Sequence, residues 1–211
     1  MLSFYTVSYS EALTMHEQQA SMSINLSIFA SVHLNTSKLF CFMTTIGLLS
    51  DTHNYLDPRV FKHFAACDEI WHAGDIGTLG IVDQLTAFKK LRAVHGNIDG
   101  YEIRQICPMF LRFQCEQVNV LLTHIGGYPN HYSMEAKGLL HTEVPDLFVC
   151  GHSHILKVQY DQHLKMLTVN PGAAGQYGFH KVQTLLRFVI DGSNIRDMEV
   201  IELSSSSNEL K

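Results

Sequence analysis

The sequence predicts an α/β domain made of two packed mixed sheets flanked by helices. Three observations lead there. Apolar runs alternate with helix-like segments between residues 44 and 95. The second half of the chain is a succession of strand-like runs broken by one helical pattern. Polar residues able to do chemistry recur where apolar runs end, and the carboxyl ends of strands border the binding crevice in open α/β sheets.

Residues 45–49 read as a buried strand. Residues 58–67 read as a helix, with Asp57 as N-cap and Pro58 at the first helical position. Residues 69–73 form a second strand and 79–89 a second helix, with Ile81, Leu85 and Phe88 on one face; 91–95 form a third strand. Such a βαβαβ run implies a parallel sheet with right-handed crossovers. Further strands are expected at 109–113, 118–123, 147–150, 155–160, 166–170, 184–190 and 195–203. Gly192-Ser193-Asn194 and Asp161-Gln162-His163 read as hairpin turns, and residues 132–140 as a helix. Two packed sheets accommodate this order better than one doubly wound sheet.

A chain of 211 residues suits one globular domain. It is 46% hydrophobic and 17% charged with net charge −5, which argues against the basic face of a nucleic-acid binder. Its five cysteines never form a CxxC pair, so reduced, buried thiols in a cytoplasmic protein are expected. Residues 1–42 are serine-rich, nearly uncharged and without sustained periodicity; a disordered or non-native N-terminal extension is expected there. Their most apolar part, 24–42, is interrupted by Asn25, Ser27, Ser31, His33, Asn35, Ser37 and Lys38. It therefore falls short of the roughly twenty apolar residues of a membrane span. No basic stretch precedes it, as a secretory signal would require. The domain is expected over 43–203, with a flexible tail at 204–211. The sequence leaves room for a homo-oligomer.

Thirteen histidines are the unusual figure, because histidine is the commonest metal ligand and acid–base group. The first strand ends Ser50-Asp51-Thr52-His53, the second Gly74-Asp75 and the third Gly96-Asn97-Ile98-Asp99. Later strands end Thr123-His124 and Gly151-His152-Ser153-His154. Carboxylate oxygen and imidazole nitrogen suit manganese, iron, zinc or cobalt better than calcium. Asp51, His53, Asp75, Asn97, His124, His152 and His154 are more donors than one open site uses, and they suit two ions sharing a carboxylate. One such pair alone is more often a cap or turn; five in order are specific. His63 and His141 are expected at the surface or in packing, His72 and His95 in core packing near the site, and Trp71 in the core.

The series D-x-H, G-D, G-N-x-D, T-H and G-H-x-H resembles the calcineurin-like metallophosphoesterases. The short length and the Asn170-Pro171-Gly172 turn are similar to the small YfcE-like phosphodiesterase branch. The resemblance covers residue 43 to about residue 203 and implies a four-layer α/β/β/α sandwich. It implies a phosphodiesterase acting on a small phosphoester, with a metal-bridging hydroxide attacking phosphorus. Asp51, His53, Asp75 and His154 would hold the first of two divalent ions, Mn2+ foremost, with Ni2+, Zn2+, Fe2+ or Co2+ as alternatives. Asp75, Asn97, His124 and His152 would hold the second, which makes Asp75 the bridge. Asp75, Asn97 and His124 join the catalytic set, with Asp99 either orienting a histidine or holding a turn. His180 and Lys181 are candidate substrate contacts. Asn54 after His53 and Ile125 after His124 depart mildly from the family pattern. Ile98 stands where many relatives carry a histidine that can protonate the leaving group. A second reading is a non-catalytic, protein-binding scaffold of this fold, similar to the retromer vacuolar-sorting subunit; a complete ligand set speaks for the enzyme.

Overall fold

The structure is a computed structural model, and it describes residues 43–178 and 182–203. The expectations for residues 1–42 and 204–211, and the candidate contacts His180 and Lys181, lie outside the described residues.

Strand β1 (Met43–Leu49), helix α1 (Arg59–His63), β2 (Glu69–His72), α2 (Leu79–Phe88) and β3 (Lys90–Ala93) form the βαβαβ run. All three strands pair in parallel. Then come α3 (Tyr101–Ile106), β4 (Phe110–Cys115), β5 (Val118–Thr123), α4 (Met134–Thr142), β6 (Leu147–Val149), β7 (Leu156–Asp161), β8 (Met166–Pro171), β9 (Gln183–Asp191) and β10 (Asn194–Leu203). One sheet has the order β10-β9-β1-β2-β3 and the other β4-β5-β6-β8-β7.

Three apolar cores separate four layers. Between the sheets, Ile46, Leu48 and Trp71 meet Val120, Leu122 and Val149. Outside the first sheet, Leu49, Ile70 and Leu185 pack against Val60 and Phe64, and against Ile81, Leu85 and Ile103 of α2 and α3. Outside the second, Leu121 and Phe148 meet Ala136 and Leu140 of α4. Each fully buried side chain of this size contributes about 1.5–3 kcal/mol. This is the expected α/β/β/α sandwich. Trp71 is fully buried between the sheets, edge-on to Phe113 and Phe188.

Several elements differ from their expected bounds. Helix α1 spans five residues instead of ten, because a turn at Phe64 (φ −96°, ψ 9°) interrupts it. Pro58 takes the cap position, while Asp57 Oδ1 accepts from the Arg59 backbone N–H at 2.9 Å and caps from one residue earlier. Helix α4 starts at Met134, where Ser133 Oγ accepts from the Ala136 N–H. Helix α3 was not expected at all. Its six residues are mostly polar or exposed, and only Ile103 is buried.

Candidate metal centre

Every proposed metal ligand sits beyond the carboxyl end of a parallel strand: β1, β2 and β3 in one sheet, β5 and β6 in the other. The loops continue the ladders that precede them. Asp51 N donates to Gly74 O, His53 N to Asp75 O, and Asn54 N to Ile76 O. Gly151 N donates to His124 O, and Ala174 N to Ser50 O. Hydrogen bonds of this kind hold the loops of each sheet in register.

Five proposed ligands are left-handed, Asp51 (φ 55°), His53 (46°), Asp75 (54°), His152 (67°) and His154 (56°), as is the neighbouring Asn54 (68°). Backbone strain of this kind costs of order 1–3 kcal/mol per residue and concentrates at functional sites. Two glycines make the convergence possible. A Cβ on Gly96 would lie 2.0 Å from Asp75 Oδ1. A Cβ on Gly74, itself at φ +93°, would lie 2.7 Å from His124 Nδ1.

Among the described residues, two groups could hold a metal ion: Asp51, His53 and His154, and Asp75, His124 and His152. Within each, the donor atoms lie within 4.8 Å of one another. In the first group, His154 Nε2 is 3.2 Å and His53 Nε2 3.8 Å from Asp51 Oδ1, and the two Nε2 atoms are 3.2 Å apart. In the second, His124 Nε2 is 3.2 Å from Asp75 Oδ1 and 3.1 Å from Asn97 Oδ1. Donors bound about 2.0–2.2 Å from one ion are separated by roughly 3.0–3.8 Å at bond angles of about 90–120°. The observed edges fall in that range.

Chemistry supplies a second test of fit. Asp51 Oδ1 is buried without a hydrogen-bond partner, while Oδ2 accepts from the His152 backbone N–H at 3.1 Å. His154 Nε2 approaches Oδ1 as an ion-pair contact at 3.2 Å. An orphaned, buried carboxylate oxygen facing two imidazole nitrogens is poorly satisfied without a cation. His124 Nδ1 donates to the Ala73 carbonyl at 2.7 Å, so in the neutral ring Nε2 carries a lone pair. That lone pair, an Asp75 oxygen and the Asn97 amide oxygen then converge as acceptors. The residues present fit divalent ions.

The protonation balance agrees. The Asp51 contact raises the His154 pKa above its ordinary value, against the opposing effect of burial. Burial works against protonated His124, but the hydrogen bond to Asp75 and the Asp51 and Asp75 charges raise its pKa overall. Burial lowers that of His53, partly offset by the same two carboxylates. Burial opposes ionised Asp75, yet its His124 contacts and the Ile98 N–H hold its pKa below the usual value.

Other candidates separate clearly. His72 is buried and in neither group: its Nδ1 accepts from the Gly74 N–H, and its Nε2 therefore donates to Thr52 Oγ1 at 3.0 Å. Thr52 passes its own proton to Ile76 O. His95 Nδ1 donates to Cys107 O. His72 is thus held in the core as expected, whereas His95 is half-buried beyond β3 and lines a cleft beside the site. Of the two readings open for Asp99, the turn role is the one seen. Its carboxylate accepts from the N–H groups of Ile76, Gly77 and Gly96, and among the described residues no hydrogen bond joins it to a histidine. It clamps the Asp75 loop to the Asn97 loop. Ile98 is 43% exposed. Sequence reasoning passed over Arg104, which donates to the carbonyls of Asp99, Gly96 and Asn97 from α3. It also passed over Tyr177, whose ring lies 5.6 Å from that of His53. Neither belongs to a motif at a strand end, which was the only signal in use.

A four-layer sandwich with two histidine–carboxylate groups at its strand tips defines a metal-dependent hydrolase fold of the phosphoesterase type. The chain belongs to the calcineurin-like phosphoesterase superfamily, whose domain model matches residues 44–193. It is 29% identical over 134 residues to a probable metallophosphoesterase of Methanothermobacter thermautotrophicus, covering 61% of this chain and 76% of that protein. The fold is similar to that of an archaeal phosphodiesterase (TM-score 0.57, 20% identity, 74% of this chain and 99% of that one). It is also similar to Vps29 from Entamoeba histolytica, solved with Zn2+ (TM-score 0.56, 16% identity, 76% and 99%). Among the described residues, no helix is long and apolar enough to cross a membrane.

Proposed function

We propose that this protein is a phosphodiesterase that holds two divalent ions and hydrolyses a small phosphoester. Asp75 carries the reading. Its Oδ2 lies 3.6 Å from His53 Nε2 of one group, while its Oδ1 lies 3.2 Å from His124 Nε2 of the other. We assign Asp51, His53, Asp75 and His154 to one ion, and Asp75, Asn97, His124 and His152 to the second. When bound, such ions polarise phosphoryl oxygens and yield a water-derived nucleophile at neutral pH. The protein's part is to aim the donors. The Ala73 carbonyl sets the His124 ring, the His152 N–H leaves Asp51 Oδ1 for the ion, and Asp99 ties two ligand loops together. The donor set of imidazole, carboxylate and amide oxygen, without thiolate, favours manganese, with nickel, zinc, iron and cobalt as alternatives. The described cysteines are buried free thiols, Cys150 pushed up by burial to about 12, in keeping with a cytoplasmic location.

The likeness in fold to Vps29 favours a second reading, a protein-binding scaffold. One experiment decides between them. Protein stripped of metal is reconstituted with manganese, nickel, zinc or magnesium, then assayed against aryl phosphodiesters and monoesters while bound metal is counted. Two ions per chain and metal-restored diester hydrolysis are expected. Metal binding without turnover would leave the scaffold.

A further inference from the structure

Two clefts flank the Asp75–His124–His152 group. The larger, about 610 Å³, is lined by Asn97 and His124 and continues over Met109, Ile125, Met134 and Leu139. The smaller, about 250 Å³, is lined by His152 together with Tyr128, Ile155 and Lys157. Ile125 borders both, and the His124 and His152 rings are only 5.2 Å apart. A phosphoryl group held at this metal group therefore has a cleft on each side. A monoester has one organic substituent and fills one cleft; a diester has two.

The clefts differ in size and in their charged groups, Arg104 and Glu135 at the larger and Lys157 at the smaller. Met109 and Met134 remain 54% and 81% exposed at the larger cleft, which is apolar surface an organic ligand would cover. Its volume lies in the range of small-molecule sites, about 300–1,000 Å³. In the smaller cleft, Lys157 Nζ lies 3.4 Å from the centre of the Tyr128 ring, and no described carboxylate pairs with it. The smaller walls are otherwise mostly apolar, so it is this cation that suits the cleft to a short arm carrying an anion.

We infer that the substrate is a two-armed phosphodiester, with a large apolar or aromatic arm in the larger cleft and a short acidic arm against Lys157. This rests on the phosphodiesterase reading. Hydrolysis breaks one P–O bond: the oxygen of water joins phosphorus, and the departing arm leaves as the alcohol, carrying a proton.

Gly138 of α4 lines the larger cleft, and a Cβ there meets nothing within 4 Å. Gly138→Phe thus adds a ring beside that cleft from an open Cβ position, and the helix loses nothing by losing a glycine. Wild type, Gly138→Phe and Lys157→Gln, each manganese-loaded, are assayed with four 4-nitrophenyl esters. These are bis(4-nitrophenyl) phosphate, its methyl and 2-carboxyethyl diester analogues, and the monoester. Gly138→Phe should lower the bis-aryl to methyl ratio of kcat/KM about tenfold or more, as apolar-pocket discrimination typically spans. Calorimetric binding of diphenyl phosphate should weaken alongside. Lys157→Gln should abolish a wild-type preference for the carboxyethyl over the methyl diester. Unchanged ratios in both variants, or no such preferences in wild type, overturn the arm assignment and leave the phosphodiesterase reading intact. A wild type that turns over none of the four overturns both.

Discussion

At the scale of single residues, the site is a set of acceptors held close together by chain geometry. Among the described residues, Asp75 is the side chain whose two oxygens face different groups. Asp75→Ala should therefore lower metal content from two ions toward one or none, and kcat/KM by at least ~100-fold. Two fully occupied ions in that variant, counted by elemental analysis, would sink the bridging role. Ile98 makes a different prediction. Its backbone N–H donates to Asp75 Oδ1 at 3.1 Å, which sets the side chain at the rim of the site, yet isoleucine has no proton to give. General acid catalysis is typically worth about 10²–10⁴-fold. Wild type should accordingly show a steep dependence of rate on leaving-group pKa, which Ile98→His flattens by speeding alkyl esters more than aryl esters. A shallow dependence in wild type would mean that another group supplies the proton.

Among the elements, the loops after β2 and β3 depend on a clamp. Asp99 is 3% exposed and takes three backbone N–H groups at 2.7, 3.1 and 2.7 Å. Leaving those donors unpaired should cost about 3–5 kcal/mol in Asp99→Ala. Denaturant unfolding measures this, and metal affinity should fall in step; a loss under about 1 kcal/mol would refute the clamp. Most strands were legible because their apolar runs are long enough to show a buried face. Helix α3 was not, because six residues with one buried side chain carry no periodicity. Its fixed place comes from tertiary contacts: Ile103 packs in the core, and Arg104 holds three carbonyls of the Asn97 loop.

For the molecule as a whole, stability should respond to pH through His72. Burial lowers its pKa from 6.5 to about 4, and protonating Nδ1 would break the Gly74 bond. The unfolded chain then binds more protons between these values, so the stabilising contribution is complete above pH 6.5 and lost as pH falls toward 4. The span is on the order of 3 kcal/mol. Melting temperatures of metal-free protein should fall through that window, and His72→Gln should flatten the fall while lowering the plateau. An unchanged slope in the variant would show that other groups govern acid unfolding. His124 and His154 work in the opposite sense: their raised pKa values stabilise below pH 6.5, and that contribution is lost as pH rises.

The order of strands and the positions of seven donors at strand tips were readable from the chain alone. Strand ends are local events: an apolar run stops, a glycine turns, and the next side chain is aimed. Gly74-Asp75 and Gly151-His152-Ser153-His154 announce themselves in this way. How closely those histidines meet was decided by tertiary structure. His72 lies three residues from Asp75, yet points into a hydrogen-bond chain with Thr52, while His53 and His154, 101 positions apart, bring their ring nitrogens to 3.2 Å. The same holds for Asp99, whose motif fits either role until the N–H groups it meets are known. The two clefts also belong to the fold, since their walls come from separate strands, loops and helix α4. Sequence spacing specifies what each turn presents; only the packing of two sheets specifies what it faces.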